Sequence, residues 1–284
     1  MSSSASPAVV TRFAPSPTGR LHLGHAYAAL FAYRAAKQAG GRFLVRIEDI
    51  DGTRCSPAHE RAMLDDLAWL GLEWDPAVRR QSEHLADYAA AIERLKTLGV
   101  VYPCFCTRSD IRAEILRSGA APQGPDGPHY PGICRRSSAN ERRQLTRQGK
   151  SFGWRLDVTR AAAITGNLDW IDLGLGRVTA NVHAFGDVVV ARKETPTSYH
   201  LAVTVDDHLQ GVSLVTRGDD LIPSTHIHRL LQALLGYDPP VYHHHPLIRD
   251  AEGKRLAKRD DSPTIAGLRG AGHTPEEVRA IVEM

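Results

Sequence analysis

Hydrophobic and polar positions alternate between two textures along the first hundred residues. Val9–Phe13 is a short apolar run that breaks into Ala14-Pro-Ser-Pro-Thr-Gly19, which predicts a strand feeding a tight turn. From Gly24 to Gln38 the chain is rich in alanine and helix-compatible residues, and Gly40-Gly41 stops it, so a helix is expected there. Arg42–Ile47 (RFLVRI) reads as a strand ending in the acidic run Glu48-Asp-Ile-Asp51. Ser56 and Pro57 supply a cap and first turn for a helix through Leu70. A further helix, from about Glu83 to Leu98, closes at Gly99 before the strand-like VVYPCF. Strand, helix, strand, helix, helix, strand is the pattern of a parallel sheet covered by helices.

The pattern then breaks. Residues 118–132 are rich in glycine and proline and predict a loop, and 153–183 hold short β-like runs (GWRLDV, RVTANVH) without an obvious helix. Strand-like runs resume with DVVVAR, YHLAVTV and SLVTR, followed by a helix from Thr225 to Leu235 capped by Ser224. The expected organisation is one α/β domain split by an insertion. Residues 9–103 form its first half, 104–184 the inserted subdomain, 185–240 the second half, and 241–284 a basic loop and tail.

Composition narrows the class. Of 284 residues 42% are apolar and 24% charged, enough to bury a core and too apolar for a mostly disordered chain. No stretch approaches the roughly 18 uninterrupted apolar residues of a membrane span. Met1–Val10 carries no Lys or Arg and no long apolar block, so neither a secretory nor a mitochondrial leader is expected, and a cytoplasmic protein is. A net charge of +3 is too weak to announce a nucleic-acid partner. Local clusters say more: Arg135 and Arg136, then Arg142, Arg143, Arg147 and Lys150, then Lys254, Arg255, Lys258 and Arg259.

Two segments carry the chemistry. In Arg12-Phe-Ala-Pro-Ser-Pro-Thr-Gly-Arg-Leu-His22-Leu-Gly24-His25 a strand runs into a turn and a helix opens at the histidines. A helix amino terminus presents unpaired N–H groups to a phosphate, and Gly24 lets a nucleotide lie against the backbone. His22 and His25, three apart, face one side and can donate to phosphate oxygens. The second segment is the basic loop Gly253–Arg259, whose lysine suits charge building on β- and γ-phosphates. Three of the four cysteines, Cys104, Cys106 and Cys134, fall within thirty-one residues and point to a metal. Cys55 stands apart as a helix-edge residue. His243-His-His245 is set aside as a metal site, because consecutive strand residues face opposite ways.

HLGH resembles the HIGH motif of class I aminoacyl-tRNA synthetases, and RLAKR resembles their KMSKS loop. RFAPSPTGRLHLGH together with RIEDID resembles the glutamyl members, over about residues 9 to 260. The loop departs from the motif: Arg255 replaces the first lysine and Ala257 the serine, and Lys258 alone is retained. The resemblance implies a Rossmann-like parallel sheet split by an inserted, zinc-bearing acceptor-type subdomain, with a short C-terminal extension and no anticodon-binding domain. It implies ATP, accompanied by Mg2+, at His22, Gly24, His25 and Lys258, with His22, His25 and Lys258 catalytic. It implies L-glutamate at Arg12, Ser16, Glu48, Tyr199 and Arg217. Arginines suit its carboxylates and Glu48 its ammonium, with the choice of arginine for each carboxylate open.

The family's structural zinc site matches Cys104, Cys106, Tyr130 and Cys134, with His129 the alternative fourth ligand. Only twenty-five residues follow Arg259, which resembles the truncated glutamyl-Q tRNA(Asp) synthetase branch. That branch implies tRNA(Asp) carrying queuosine as acceptor. The basic Arg142–Lys150 stretch and its neighbours are expected to make weak, salt-sensitive contact with the RNA, and a monomer without membrane association is expected. The competing readings are a cut-down synthetase charging a tRNA 3′ end, a non-catalytic RNA-binding paralogue, and an HxGH nucleotidyltransferase acting on another small acid.

Overall fold

β1 (Val10–Phe13) is buried along its whole length and pairs in parallel with β2 (Arg42–Ile47), Thr11 facing Phe43. Between them α1 (Leu23–Gln38) packs its alanine face inward, with Ala26, Ala29, Ala32 and Ala36 buried. The small side chains let the helix lie close on the sheet. At the return into β2, a Cβ on Gly41 would stand 1.9 Å from the Val9 carbonyl oxygen, so only glycine fits. This chain is seen in a computed structural model that describes residues 8–118, 121–248 and 263–283.

α2 (Pro57–Trp69) starts where the sequence places it, capped by Ser56, and β3 (Arg79–Arg80) adds a third parallel strand beside β2. α3 (Leu85–Thr97) leads to β4 (Val101–Cys104). α4 (Arg108–Ser118), the two-residue strands β5 (Gln123–Gly124) and β6 (Gly127–Pro128), α5 (Ile133–Arg136) and α6 (Ala139–Arg147) follow. Next come β7 (Gly153–Leu156), α7 (Val158–Thr165), β8 (Asp169–Asp172), β9 (Gly176–Thr179) and β10 (Val189–Ala191). α8 (Tyr199–Leu209), β11 (Leu214–Gly218), α9 (Ile222–Leu235), β12 (Val241–His245), α10 (Ile265–Gly270) and α11 (Pro275–Glu283) complete the described elements.

Two sheets meet edge to edge. β1, β2 and β3 form one; β11, β12, β8 and β9 form the other, parallel except at the β8–β9 hairpin. Ser213 N–H donates to the Val10 carbonyl (3.0 Å), which sets β11 beside β1. The strand carboxyl ends of both halves therefore open on one crevice, the usual ligand position in such sheets. A separate antiparallel sheet, β10-β7-β4, stands apart.

Several expectations are corrected. YHLAVTV is the helix α8, not a strand: Leu201 to Asp207 are all buried, and a helix enclosed on every side loses its polar–apolar alternation. The stretch 153–183 contains α7, begun by Asp157, whose carboxylate accepts the Arg160 N–H. α9 begins at Ile222, so Ser224 lies inside it rather than capping it. VVYPCF and DVVVAR belong to the antiparallel sheet, not the parallel one. β8 and β9 join the main sheet, β10 joins the separate one, and β12 pairs in parallel with β11.

Among the described residues no helix is long and apolar enough to cross a membrane.

A buried acid ties α8 to the first half-sheet. Asp206, fully enclosed, accepts from Arg79 Nε (2.7 Å), Gln81 Nε2 (2.8 Å) and the Tyr88 hydroxyl (3.0 Å). Arg46 Nε stands 3.7 Å from Asp206 Oδ2. Asp206→Ala would leave these donors buried without an acceptor, and a loss of about 3–5 kcal/mol in urea unfolding is expected.

Candidate active site

The opening of α1 is closed by its own histidines. His22 is the N-cap: its Nδ1 accepts the Gly24 N–H (3.1 Å), and His25 Nδ1 accepts the His22 N–H (3.3 Å). With Nδ1 accepting on both rings, the proton of each neutral imidazole sits on Nε2, which makes each ring an Nε2–H donor. The ring centroids are 3.8 Å apart. The preceding turn is pinned to β2 and α2, where Pro15 and Pro17 carbonyls accept the Glu48 and Ser56 N–H groups, each at 3.0 Å.

A cleft of about 520 Å³ opens at these strand ends. It brings together every described residue expected to hold a nucleotide or an amino acid: Arg12, Ser16, His22, Gly24, His25, Glu48, Tyr199 and Arg217. Arg12 comes from β1, Glu48 from just past β2, Tyr199 from the first residue of α8, and Arg217 from β11. Lys258, with Lys254, Arg255, Ala257 and Arg259, lies outside the described residues. The chain on either side of that segment belongs to the cleft. Leu247 and Ile248 line it. On the other side Thr264 forms a β-bridge with His22, and Ile265 N–H donates to the Leu21 carbonyl (2.9 Å).

The two arginines differ in how their charge is met. Arg12 binds Asp207 through Nε (2.9 Å) and Nη2 (3.3 Å), and the Thr216 carbonyl through Nη1 (3.0 Å). Asp207 also accepts from Arg46 Nη1 (2.7 Å), and Arg46 Nη2 reaches Glu48 (3.3 Å). Burial opposes ionisation of Asp207, yet Arg12 and Arg46 outweigh it and hold its carboxyl below the usual range. Burial likewise opposes charge on Arg46, and Asp207, Glu48 and Asp206 hold it ionised. Glu48 goes the other way. Burial pushes its carboxyl up, Asp206 and Asp207 add to the push, and Arg46 and Arg12 oppose it without prevailing.

Arg217 is buried, 6% exposed, and among the described residues makes no ion pair. Its Nε bonds His244 Nε2 (3.2 Å), Nη1 bonds His228 Nδ1 (3.1 Å), and Nη2 donates to the Thr225 hydroxyl (2.6 Å). Its guanidinium lies 5.4 Å from the centre of the Tyr242 ring. His244 Nδ1 in turn meets Asp172 Oδ2 (2.7 Å), and His228 Nε2 meets His200 Nδ1 (3.2 Å). Nothing local in the sequence points to these partners, apart from the alternation of the three strand histidines. His243 and His245 pack on Phe31 while His244 faces Arg217. That alternation agrees with setting the triplet aside as a metal site.

The cysteines converge outside the cleft. Sγ atoms of Cys104, Cys106 and Cys134 lie within 4.8 Å of one another. The Tyr130 hydroxyl is 3.5 Å from Cys104 Sγ and 3.4 Å from Cys106 Sγ, and Cys106 and Cys134 sulfurs are 3.5 Å apart. Three sulfurs and one oxygen at such separations fit the edges of a tetrahedron about 2.3 Å in radius. Hydrogen bonds from the Cys106 and Cys134 thiols pull the Cys104 thiol down, and the same contacts, with burial, push the Cys106 thiol up. His129 is turned away, its Nε2 2.8 Å from the Ala184 carbonyl.

Comparison with known proteins identifies the family. Residues 8–283 match the family model for the catalytic domain of class I tRNA synthetases (E and Q). A glutamyl-Q tRNA(Asp) synthetase of Rhodobacter capsulatus is 49% identical over 96% of this chain and 99% of its own length. One from Nocardia farcinica is 43% identical over 95% of this chain and 82% of its own. The crystal structure of a glutamate tRNA ligase from Elizabethkingia meningosepticum, in complex with its amino acid, superposes with a TM-score of 0.81 at 30% identity. The match covers 98% of this chain and 60% of that one, so the present chain spans about three fifths of that ligase. The HLGH-capped helix, the parallel sheet opening on its cleft and these likenesses agree: the chain belongs to the class I tRNA synthetases, in the group of the glutamyl and glutaminyl enzymes.

Proposed function

We propose that this chain activates L-glutamate with ATP and transfers the glutamyl group to the queuosine base in the anticodon of tRNA(Asp). The observation that carries the amino-acid assignment is Arg217: a buried guanidinium whose direct partners are all neutral is a site prepared for an anion. Glu48, in the same cleft, supplies the anion for the substrate ammonium, and Ser16 and Tyr199 line the space around them. Arg12 contributes a second fork, its charge already shared with Asp207.

ATP lies against the α1 opening, with the triphosphate at the Nε2–H groups of His22 and His25 and the nucleoside over Gly24. Mg2+ accompanies it. A glutamate carboxylate oxygen attacks the α-phosphorus; the new O–P bond forms as the bond to the β-phosphate oxygen breaks, and pyrophosphate leaves with that electron pair. No base is needed, because the attacking carboxylate is already ionised. The protein positions the two reactants and offsets charge on the leaving group, which is the part of His22, His25 and Lys258. A hydroxyl oxygen of the queuosine cyclopentenediol then attacks the acyl carbon; the new C–O bond forms as the acyl–phosphate bond breaks, AMP leaves with that electron pair, and the hydroxyl proton passes to the departing phosphate or to water. The exposed side chains of Arg143 and Arg147 on α6, with Lys150 beyond it, suit salt-sensitive contact with the RNA backbone.

Zn2+, held by Cys104, Cys106, Tyr130 and Cys134, would be structural, cross-linking β4 to the α5 turn. With four protein ligands and no open position, it would take no part in the reaction.

The deciding experiment compares queuosine-containing with queuosine-free tRNA(Asp). Glutamate-dependent pyrophosphate exchange is expected without any tRNA, followed by labelling of the queuosine-containing tRNA alone, with the label recovered in the anticodon fragment after ribonuclease digestion and not on the 3′-terminal adenosine. Labelling of the 3′ end overturns the acceptor assignment, and exchange driven by another acid overturns the substrate. Lys258→Ala should lower kcat for exchange by about 10²–10³, the usual effect of removing one group that stabilises transition-state charge.

Because burial raises the Glu48 carboxyl, the carboxylate needed by the ammonium is lost at a higher pH than for an ordinary glutamate. KM for glutamate should therefore climb as pH falls through the mildly acidic range and level off above it, while KM for ATP stays flat. Glu48→Gln should abolish that dependence. Reconstitution of the reduced chain with Co2+ should give a thiolate-to-cobalt charge-transfer band at one equivalent, absent in Cys134→Ala.

A further inference from the structure

Arg12 and Arg217 stand in one cleft, both buried, and are held by opposite means. Arg12 is met by a carboxylate, Asp207, which a second arginine shares. Arg217 is met by two imidazoles and a hydroxyl. A carboxylate would make shorter and stronger bonds to a guanidinium than an imidazole does, and would cancel its charge in the process. An imidazole orients the fork and leaves the charge intact.

Hydrogen-bond logic sets the state of each ring. Arginine has donors only, so His244 Nε2 and His228 Nδ1 must both accept. The His244 proton then lies on Nδ1 and is donated to Asp172. The His228 proton lies on Nε2 and is donated to His200 Nδ1, which leaves the His200 proton on Nε2. All three rings are neutral. Burial and Arg217 act in the same direction, pushing His200 and His244 down to about 4 and His228 below its ordinary value; the Asp172 carboxylate opposes this at His244 without prevailing. Of the anions nearby, Asp172 is separated from Arg217 by His244, and Asp207 is engaged by Arg12 and Arg46.

We propose that His228 and His244, with His200 and Asp172 behind them, are positioning residues that aim Arg217 at a carboxylate of the amino-acid substrate while keeping its charge uncancelled. The proposal rests on the glutamate reading above. It assigns the neutrality of the shell, and not merely its shape, to substrate affinity.

Isosteric replacements separate charge from shape. In His228→Asn the amide oxygen takes the place of Nδ1 as a neutral acceptor, and in His228→Asp a carboxylate of the same size does. KM for glutamate in exchange should stay within about threefold of wild type for Asn and rise at least about tenfold further for Asp, with KM for ATP unchanged in both. A merely structural role predicts equal behaviour of the two variants, and equal KM values overturn the proposal. Nitrogen NMR of the wild-type chain gives a second, activity-independent reading. Neutral rings at pH 7, protonated at Nδ1 for His244 and at Nε2 for His228 and His200, are expected, and a cationic His228 or His244 overturns the proposal even if neither variant folds. Absence of glutamate-dependent exchange in the wild type would instead refute the activity, while the spectra still decide the state of the shell.

Discussion

Charge compensation across the face of the parallel sheet is the constraint on which this structure depends. Arginines on three neighbouring strands, Arg12, Arg46 and Arg79, point to one helix, and that helix answers with two adjacent acids, Asp206 and Asp207. Each of these charges alone would be costly to bury, and together they lock α8 over the junction of the two halves. The position of Tyr199, at the first turn of that helix, follows from the lock at its other end. So does the position of Glu48, which shares Arg46 with Asp207.

The compensation stops at Arg217. One strand away from the paired arginines, the fold supplies neutral acceptors in place of acids, and a buried positive charge is left facing the cleft. An uncompensated buried charge is a stability cost that a protein retains only where a ligand is to meet it. Glu48 is a partial counterpart, an acid that meets one arginine at 3.3 Å and whose ionisation burial still resists. The cleft thus presents a cation without an acid partner and an acid only partly compensated, which suits the zwitterionic substrate proposed for it. The site is prepared by incomplete pairing, whereas the scaffold around it is held by complete pairing.

Much of this arrangement is legible in the chain. The first half-domain follows its sequence closely, because each element there carries its own local signal: Ser56-Pro57 for α2, Gly40-Gly41 after α1, the PSPTG turn after β1. The failures share a cause. YHLAVTVDDHL has β-branched residues and no polar face, which locally resembles a strand; it is a helix because its whole circumference is enclosed and because Asp206 and Asp207 meet distant arginines only in that form. The cleft residues are visible as a motif, and the cysteines as a cluster. The shell of His200, His228, His244 and Asp172 is not, since its members are scattered over more than seventy residues and are joined only by the strand and helix packing. The one local hint is the alternation of His243, His244 and His245, in which the two-residue period of a strand by itself sets His244 on the face opposite its neighbours.

The strand bridge between His22 and Thr264 adds a constraint of a different kind. The segment carrying Lys258 leaves from residues that line the cleft and re-enters on the backbone of the histidine that caps α1. The described residues on either side of that segment are therefore fixed relative to α1 and the cleft. Loop-closure entropy for a chain tethered at both ends beside the cleft is small compared with that for a free tail, which is the physical support for giving Lys258 a part in the proposed reaction. The described anchors, Leu21, His22, Thr264 and Ile265, lie outside the RLAKR motif, and backbone contacts make them, so they do not depend on which side chains stand at 255 and 257.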